Sequence, residues 1–404
     1  MKDVKQDFSR TGDQTKAVHA GEFPDPHTGA SSPNLVMSTT FVVDSSTGFS
    51  VEGLGEDDPF IYTRWGNPTI RQLEEKLAVL EEAETAVAFA SGMSAATALL
   101  FHTLKAGDRA VISDVTYAAV AETTNELLPG LGVGITKVDT SDLDALAAAV
   151  KPGVKLVYVE TPCNPLLRLT DIAAAAEIAH KVGAFLAVDS TFATPVATKP
   201  LKLGADFVIH SLTKYIGGHG DALGGALLGR VADLAPLRKK TSIRLGGTLS
   251  PFNAWLIMRG LATLPLRMKA HEENALKVAR YLEINPRVTK VIYPGLPSHP
   301  QHDLAKRQMK NFSGMISFQA AGGKETAGRL AEKLRIIHYA VSLGHHRSLI
   351  FYLPTEDLLA TSFKFAAQKQ LDSWKAFAGE GIFRLSTGLE DADDLIADLE
   401  QALS

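Results

Sequence analysis

Residues 206–221 read DFVIHSLTKYIGGHGD: an apolar run of strand length, a lone lysine at Lys214, then a turn rich in glycine. A short apolar run closed by turn residues is the pattern of a strand buried on both faces. The same kind of run recurs upstream. TAVAFAS (85–91), RAVISD (109–114), GITKVD (134–139), VKLVYVE (154–160) and FLAVDS (185–190) alternate with stretches of helical spacing, MSAATALLFHTLKAG (93–107), YAAVAETTNELL (117–128), LDALAAAV (143–150) and DIAAAAEIAHKVG (171–183). The alternation predicts an α/β fold whose mostly parallel sheet is covered on both faces. Ligands of such sheets lie beyond the carboxyl ends of the strands. The polar residues expected there are Ser91-Gly92, Asp114, Glu160, Asp189 and Ser211.

The flanks differ from this centre. Residues 1–65 are rich in Gly, Pro, Ser, Asp and Thr and predict an extended arm; 66–260 form the large domain. From about residue 252, a long helical stretch interrupted by Pro265 leads to separate strands at KVIYPG (290–295), SGMISFQA (313–320) and GIFRLSTG (381–388). A smaller C-terminal α/β domain is expected over 261–404.

Composition narrows the class. The 404 residues are 45% hydrophobic and 21% charged, with a formal net charge of -4 and one cysteine. These values suit a globular enzyme, give no basic footprint for nucleic acid and allow no intrachain disulfide, which fits the cytoplasm. No apolar run has the length of a membrane span, and the first 16 residues lack the apolar core of a signal peptide. No spaced set of metal ligands is expected; His345-His346 reads as ordinary loop histidine.

The strand ends carry the chemistry. Ser91-Gly92-Met93 stands where a strand turns into a helix, a place for a phosphate or simply a helix cap. Asp189 ends an apolar strand and needs a partner: a bound cation such as a protonated ring nitrogen, or a cap. Lys214 either reaches solvent or is an amine that burial makes nucleophilic, able to form a Schiff base. Ser211 and Thr213 add hydroxyls beside it. Phosphate cradle, ring counter-charge and amine together are what a protein supplies to pyridoxal phosphate.

DFVIHSLTKYIGGHGD resembles the lysine signature of the Cys/Met-metabolism pyridoxal-phosphate enzymes. TKAVHAGE, STTF, YTRWGNPT, SGMSA, ETPCNP, VDSTFATP, VSLG and RLSTGLED are similar to other blocks of that family, in family order, over nearly the whole chain. The resemblance implies fold type I (aspartate-aminotransferase-like). It implies that Lys214 binds pyridoxal 5'-phosphate and then moves protons. Asp189 would pair with the ring nitrogen, and Ser91, Gly92, Met93, Ser211 and Thr213 would hold the phosphate. Tyr62 and Arg64 would reach that phosphate from a neighbouring subunit, in a homotetramer of dimers that share active sites. Tyr117 would stack on the ring and serve the leaving group, Asn164 would contact the ring hydroxyl side, and Arg384 with Ser342 would hold the carboxylate of a small amino-acid substrate. His219 is expected to hold the glycine turn, and Cys163 to be packed rather than nucleophilic.

Departures from the family pattern concern substrate. Val341 stands where the cystathionine-handling members usually have glutamate, as in methionine γ-lyases and sulfhydrylases. Ala119 and Ser242-Ile243 depart from the methionine γ-lyase pattern. Arg347 replaces a glutamate, and HHRSLIFYLPTEDLLATSF (345–363) is unlike the family's usual run. The expectation is elimination or replacement at Cγ of a four-carbon amino acid, of the methionine γ-lyase or O-acetylhomoserine sulfhydrylase kind. Canavanine, with Glu356 and Asp357 facing its cationic tail, and cystathionine chemistry are the alternatives. A non-catalytic cofactor-binding protein is disfavoured by Tyr117 and Arg384, and an aminotransferase by YTRWGNPT and RLSTGLED.

Overall fold

The computed structural model describes residues 7–48, 50–51, 59–365 and 368–404. Of the arm expected over 1–65, residues 1–6, 49 and 52–58 lie outside the described residues. The chain divides into two compact units, Met1–Thr103 with Phe207–Pro265, and Leu104–Asp206 with Leu266–Ser404.

The large sheet has seven strands: β1 (Thr85–Phe89), β2 (Arg109–Ser113), β3 (Gly134–Val138), β4 (Val154–Glu160), β5 (Phe185–Asp189), β6 (Phe207–Ser211) and β7 (Gly225–Gly229). The expected strands are all present. β7, which the sequence reading did not contain, runs antiparallel to both β1 and β6 in the first unit. Its first residue explains its composition: a Cβ at Gly225 would stand 2.1 Å from the Ser91 carbonyl oxygen, so only glycine lets β7 pass there.

The first unit also holds residues 13–22 against its helix Pro68–Glu81. Helix Asp13–His19 buries Lys16 and Ala17, and Lys76 donates from Nζ to the carbonyls of Ala17 (2.9 Å) and Val18 (3.2 Å). Lys76 also pairs with Glu22. Three acceptors satisfy an ammonium that burial would otherwise make costly.

In the second unit β5, β4, β2 and β3 lie side by side and parallel. All but one residue of β4 is buried, as the near-continuous apolar runs require. Val157, Leu186 and Val188 share one core with Ile172, Ala175 and Ala179 of helix Ile172–His180.

The same unit carries a five-stranded sheet of β8 (Val288–Ile292), β9 (Met315–Ala320), β10 (His338–Tyr339), β11 (Leu349–Pro354) and β12 (Gly381–Ser386), in the order β10-β11-β12-β9-β8. β12 is central and antiparallel to both neighbours. Phe383 on it stacks on Phe318 at 5.1 Å and meets Tyr352 at 4.7 Å. The long helical stretch is two helices, Pro251–Leu261 and Leu264–Ile284. Pro265 falls in the first turn of the second, where a missing N–H breaks no helical hydrogen bond.

Two buried histidines tie loops to this unit. His271 is fully buried and shares a 2.8 Å hydrogen bond between Nδ1 and the Thr387 carbonyl. His299 lies 3.1 Å from the Leu167 carbonyl through Nε2 and accepts from the Gln301 N–H at Nδ1. Burial pushes both imidazoles down to about 4 from 6.5. The unfolded chain therefore takes up protons first as pH falls, and stability present above pH 6.5 is lost towards pH 4. Urea titrations should show each histidine costing about 2–3 kcal/mol between pH 7 and pH 4.5. His299→Gln, which keeps a donor for the Leu167 carbonyl, should flatten that pH dependence; an unchanged slope would refute it.

Candidate active site

In the first unit, helix Gly92–Thr103 starts directly after the end of β1. Ser91 caps it: its Oγ accepts the Ser94 N–H at 3.0 Å. The cap reading of Ser91 is therefore correct as far as it goes. By helix geometry the N–H groups of Gly92 and Met93 have no carbonyl inside the helix. A Cβ at Gly92 would stand 2.9 Å from the Ser211 Cβ and 3.0 Å from its Oγ. The helix start and the end of β6 thus touch, and Ser91, Gly92 and Ser211 form one group.

Lys214 lies three residues past β6, half-buried in a turn. Its N–H bonds the Ser211 carbonyl at 3.2 Å and its carbonyl accepts from Gly218 at 2.8 Å. Thr213 braces the turn by donating from Oγ1 to the Gly224 carbonyl and accepting from the Gly224 N–H (3.2 and 3.1 Å). His219 lies 2.7 Å from the Gly217 carbonyl through Nδ1, the turn-holding contact expected of it. A Cβ at Gly260 would stand 2.0 Å from the Gly217 carbonyl oxygen, so the lysine turn sits hard on helix Pro251–Leu261.

Tyr62 and Arg64 are exposed in the same unit. The Arg64 guanidinium stands 5.5 Å from the Tyr62 ring centre and donates to the Ile243 carbonyl at 2.7 Å. Ser242 and Ile243, where the sequence departs from the methionine γ-lyase pattern, are both buried.

The second unit is organised by Glu160, the last residue of β4. One carboxylate oxygen accepts the Tyr117 N–H at 2.6 Å and the other the Asn164 N–H at 2.8 Å. Burial first, and the neighbouring Asp189 second, push this carboxyl well up, against the two N–H donors and Arg384. Tyr117 begins helix Ala118–Glu122 and is 48% exposed, so its backbone is fixed while its ring stands open. Asp189 ends β5; its Oδ1 accepts the Thr191 N–H at 3.0 Å and its Oδ2 the hydroxyl of the fully buried Tyr158 at 3.4 Å.

From Asn164 the contacts run to β12. Arg384, 9% exposed, donates from Nη1 to Asn164 Oδ1 at 2.8 Å and from Nη2 to the Ser342 carbonyl at 3.2 Å. These two acceptors are neutral: they orient the guanidinium fork without cancelling its charge. Ser342 has φ 111°, a conformation that costs a non-glycine residue about 1–3 kcal/mol. Next to it Val341 is 64% exposed. Cys163 is buried and burial raises its thiol to about 11, the state of a packed, unreactive cysteine.

The residues fit pyridoxal phosphate in kind. A twelve-residue helix opens beside two serine hydroxyls at a cradle that a Cβ would fill, a lysine follows, and the second unit offers a carboxylate at a strand end. A family model described as "Cys/Met metabolism PLP-dependent enzyme" matches residues 14–404. The chain belongs to this family. Canavanine gamma-lyase of Pseudomonas canavaninivorans is 40% identical to it over 406 residues, 100% of this chain and 99% of that protein. Cystathionine gamma-synthase of Mycobacterium tuberculosis (strain ATCC 25618 / H37Rv) is 43% identical, covering 97% of each. The crystal structure of metB from Corynebacterium glutamicum superposes with a TM-score of 0.88 at 40% identity, over 98% of this chain and 99% of that one. The Cys/Met-metabolism protein is thus a PLP-dependent enzyme of γ-elimination or γ-replacement, with a large mostly parallel sheet and a smaller second one.

The contacts of Glu160 and His345 are ones that sequence reasoning does not supply. Glu160 had the right signal, a polar residue ending an apolar strand. Its partners are main-chain N–H groups 43 and 4 residues away, which no side-chain pattern marks. His345, expected as ordinary loop histidine, lies 3.3 Å from the Ser342 hydroxyl through Nε2.

An amide in place of the Glu160 carboxyl offers one acceptor for two N–H donors. Leaving one buried donor unmet costs about 1–3 kcal/mol. Glu160→Gln should therefore lower kcat/KM by about 10- to 100-fold; steady-state kinetics within twofold of wild type would refute the clamp.

Proposed function

We propose that the enzyme takes a four-carbon amino acid with an uncharged substituent at Cγ, in the manner of a methionine γ-lyase or an O-acetylhomoserine sulfhydrylase. The carrying observation is the Arg384 fork, held by Asn164 and Ser342, with the open apolar Val341 beside it. Arg384, with Ser342, takes the α-carboxylate. Val341 and Asn164 border the substrate, Val341 on its far end, where its apolar side chain offers no charge.

In this proposal Lys214 holds the cofactor, Asp189 faces its ring nitrogen, Tyr117 covers its ring and Asn164 lies on its hydroxyl side. Ser91, Gly92, Met93, Ser211 and Thr213 take its phosphate, joined by Tyr62 and Arg64 of a neighbouring subunit. Support for these roles comes from family membership and from the grouping of Ser91, Gly92 and Ser211. Bound pyridoxal phosphate supplies the electron sink that makes protons at Cα and Cβ acidic. Lys214 Nζ, once released by the incoming amine, receives the Cα proton and then moves a proton at Cβ. The Tyr117 hydroxyl gives a proton to the departing group at Cγ. Water then leads to 2-oxobutanoate and ammonia, whereas a nucleophile at Cγ leads to a new amino acid.

Methionine, O-acetylhomoserine, O-succinylhomoserine, cystathionine and canavanine, each assayed for 2-oxobutanoate and for new amino acids, test the reading. Methionine and O-acetylhomoserine, whose Cγ substituents are uncharged, should give the highest kcat/KM. A preference for canavanine would favour the second reading, in which Glu356 and Asp357 on the exposed first turn of helix Thr355–Thr361 meet a cationic tail. Negligible turnover of all five would refute chemistry at Cγ.

The arm over 1–65, the large domain over 66–260, the small domain over 261–404, the shared-site dimer within a homotetramer and a cytoplasmic location belong to the same proposal. Lys214→Ala and Arg64→Ala proteins, each inactive, should regain activity when mixed and reassembled, because hybrid dimers then contain one intact site. No recovery on mixing would refute the shared site.

A further inference from the structure

We propose that His345 is a positioning residue for substrate-carboxylate recognition, acting through Ser342 on Arg384. The inference deepens the proposed role of Arg384 and rests on it.

Ser342 is one of the few described non-glycine residues with positive φ, at 111°. Such a conformation persists only where neighbours over-determine it, and here the contacts doing so are visible. The Ser342 carbonyl accepts from Arg384 Nη2 at 3.2 Å. The Ser342 hydroxyl meets His345 Nε2 at 3.3 Å. Gly344, between them and the histidine, donates its N–H to the Ser386 hydroxyl at 2.9 Å, two residues along β12 from Arg384. The turn 342–345 is thus fastened at three points, two of them on β12 itself.

Each fastening has a distinct effect. Ser386 sets the height of the turn on β12. Arg384 donates to the turn's carbonyl and is aimed by it. His345 grips the Ser342 side chain, and so resists relaxation of Ser342 to an ordinary φ, which would swing its carbonyl away from Arg384. The guanidinium would then keep Asn164 on one side and lose its second guide. A fork guided at one nitrogen only should still bind the carboxylate, but with poorer bidentate geometry. The run after Val341-Ser342-Leu343-Gly344 is also where this chain departs from its family's usual sequence.

Equilibrium calorimetric titration of the holoenzyme with 2-aminobutyrate and with propylamine tests this. The two ligands share the amine and three carbons and differ in the carboxylate. Their affinity ratio therefore reports carboxylate recognition, free of effects common to both. In His345→Ala the ratio should fall about tenfold, the scale of a weakened charged hydrogen bond. Ser342→Ala should fall by a similar factor, and the double variant no further, because both act through one contact. His345→Gln, whose amide reaches the position of Nε2, should restore the ratio to within about threefold of wild type. The inference is overturned if His345→Ala keeps the wild-type ratio, or if both ligands weaken equally, as a general packing defect would produce. Arg384→Lys separates the two levels. If it also keeps the wild-type ratio, the assignment of the carboxylate to Arg384 has failed. If Arg384→Lys lowers the ratio and His345→Ala does not, only the role of His345 has failed.

Discussion

A single buried carboxyl group, that of Glu160, decides where two loops of the second unit can be. Its oxygens bind the N–H of Tyr117 and of Asn164, so the start of a helix and the loop after β4 are fixed to the same strand end. Burial opposes a charge at this place, and the two donors oppose its neutralisation. Neither loop can shift without stranding one of those partners. Asn164 then passes the constraint on to Arg384, and Arg384 to the strained turn at Ser342. The order of dependence runs from a strand end, through main chain, to the guanidinium of Arg384.

Rigid strands and forced close approaches supply precision in the first unit by different means. There the decisive contacts are steric. Gly225 admits β7 beside Ser91, Gly260 admits the lysine turn, and Gly92 lies against Ser211. A missing Cβ at each point lets backbone segments touch directly, which leaves less room for error than side-chain contacts would. Thr213 and His219 then close the turn around Lys214 with hydrogen bonds to its own backbone.

What could be read in advance follows from range. The strands of the parallel region were legible because burial on both faces writes a continuous apolar run into the chain. β7 was not, since GALLG owes its glycine to a neighbour 134 residues away in sequence, Ser91. β11 was hidden for a related reason: LIFYLP gains its strand character from pairing with β12, which follows it only after helices. The lysine signature and Asp189 were legible as strand ends. The contacts of Glu160 and His345 were not, because one carboxyl binds main-chain N–H groups and the histidine meets a turn of positive φ, and both are properties of folded geometry. The acids Glu356 and Asp357 prove to sit on a helix, in its first turn, where negative charge is favoured by the helix dipole alone.

The helix that Tyr117 opens does not end freely. It continues as a wider turn over Thr123–Leu127. That far end is tied to the segment after β11: Ser362 donates to Glu122, Asn125 donates to the Ser362 carbonyl, and Lys364 pairs with Glu126. This tether lies at the end of the run 345–363 and just beyond it. A substitution at Ser362 or Lys364 would therefore act on the Tyr117 helix from its far end, while the Glu160 clamp holds its near end.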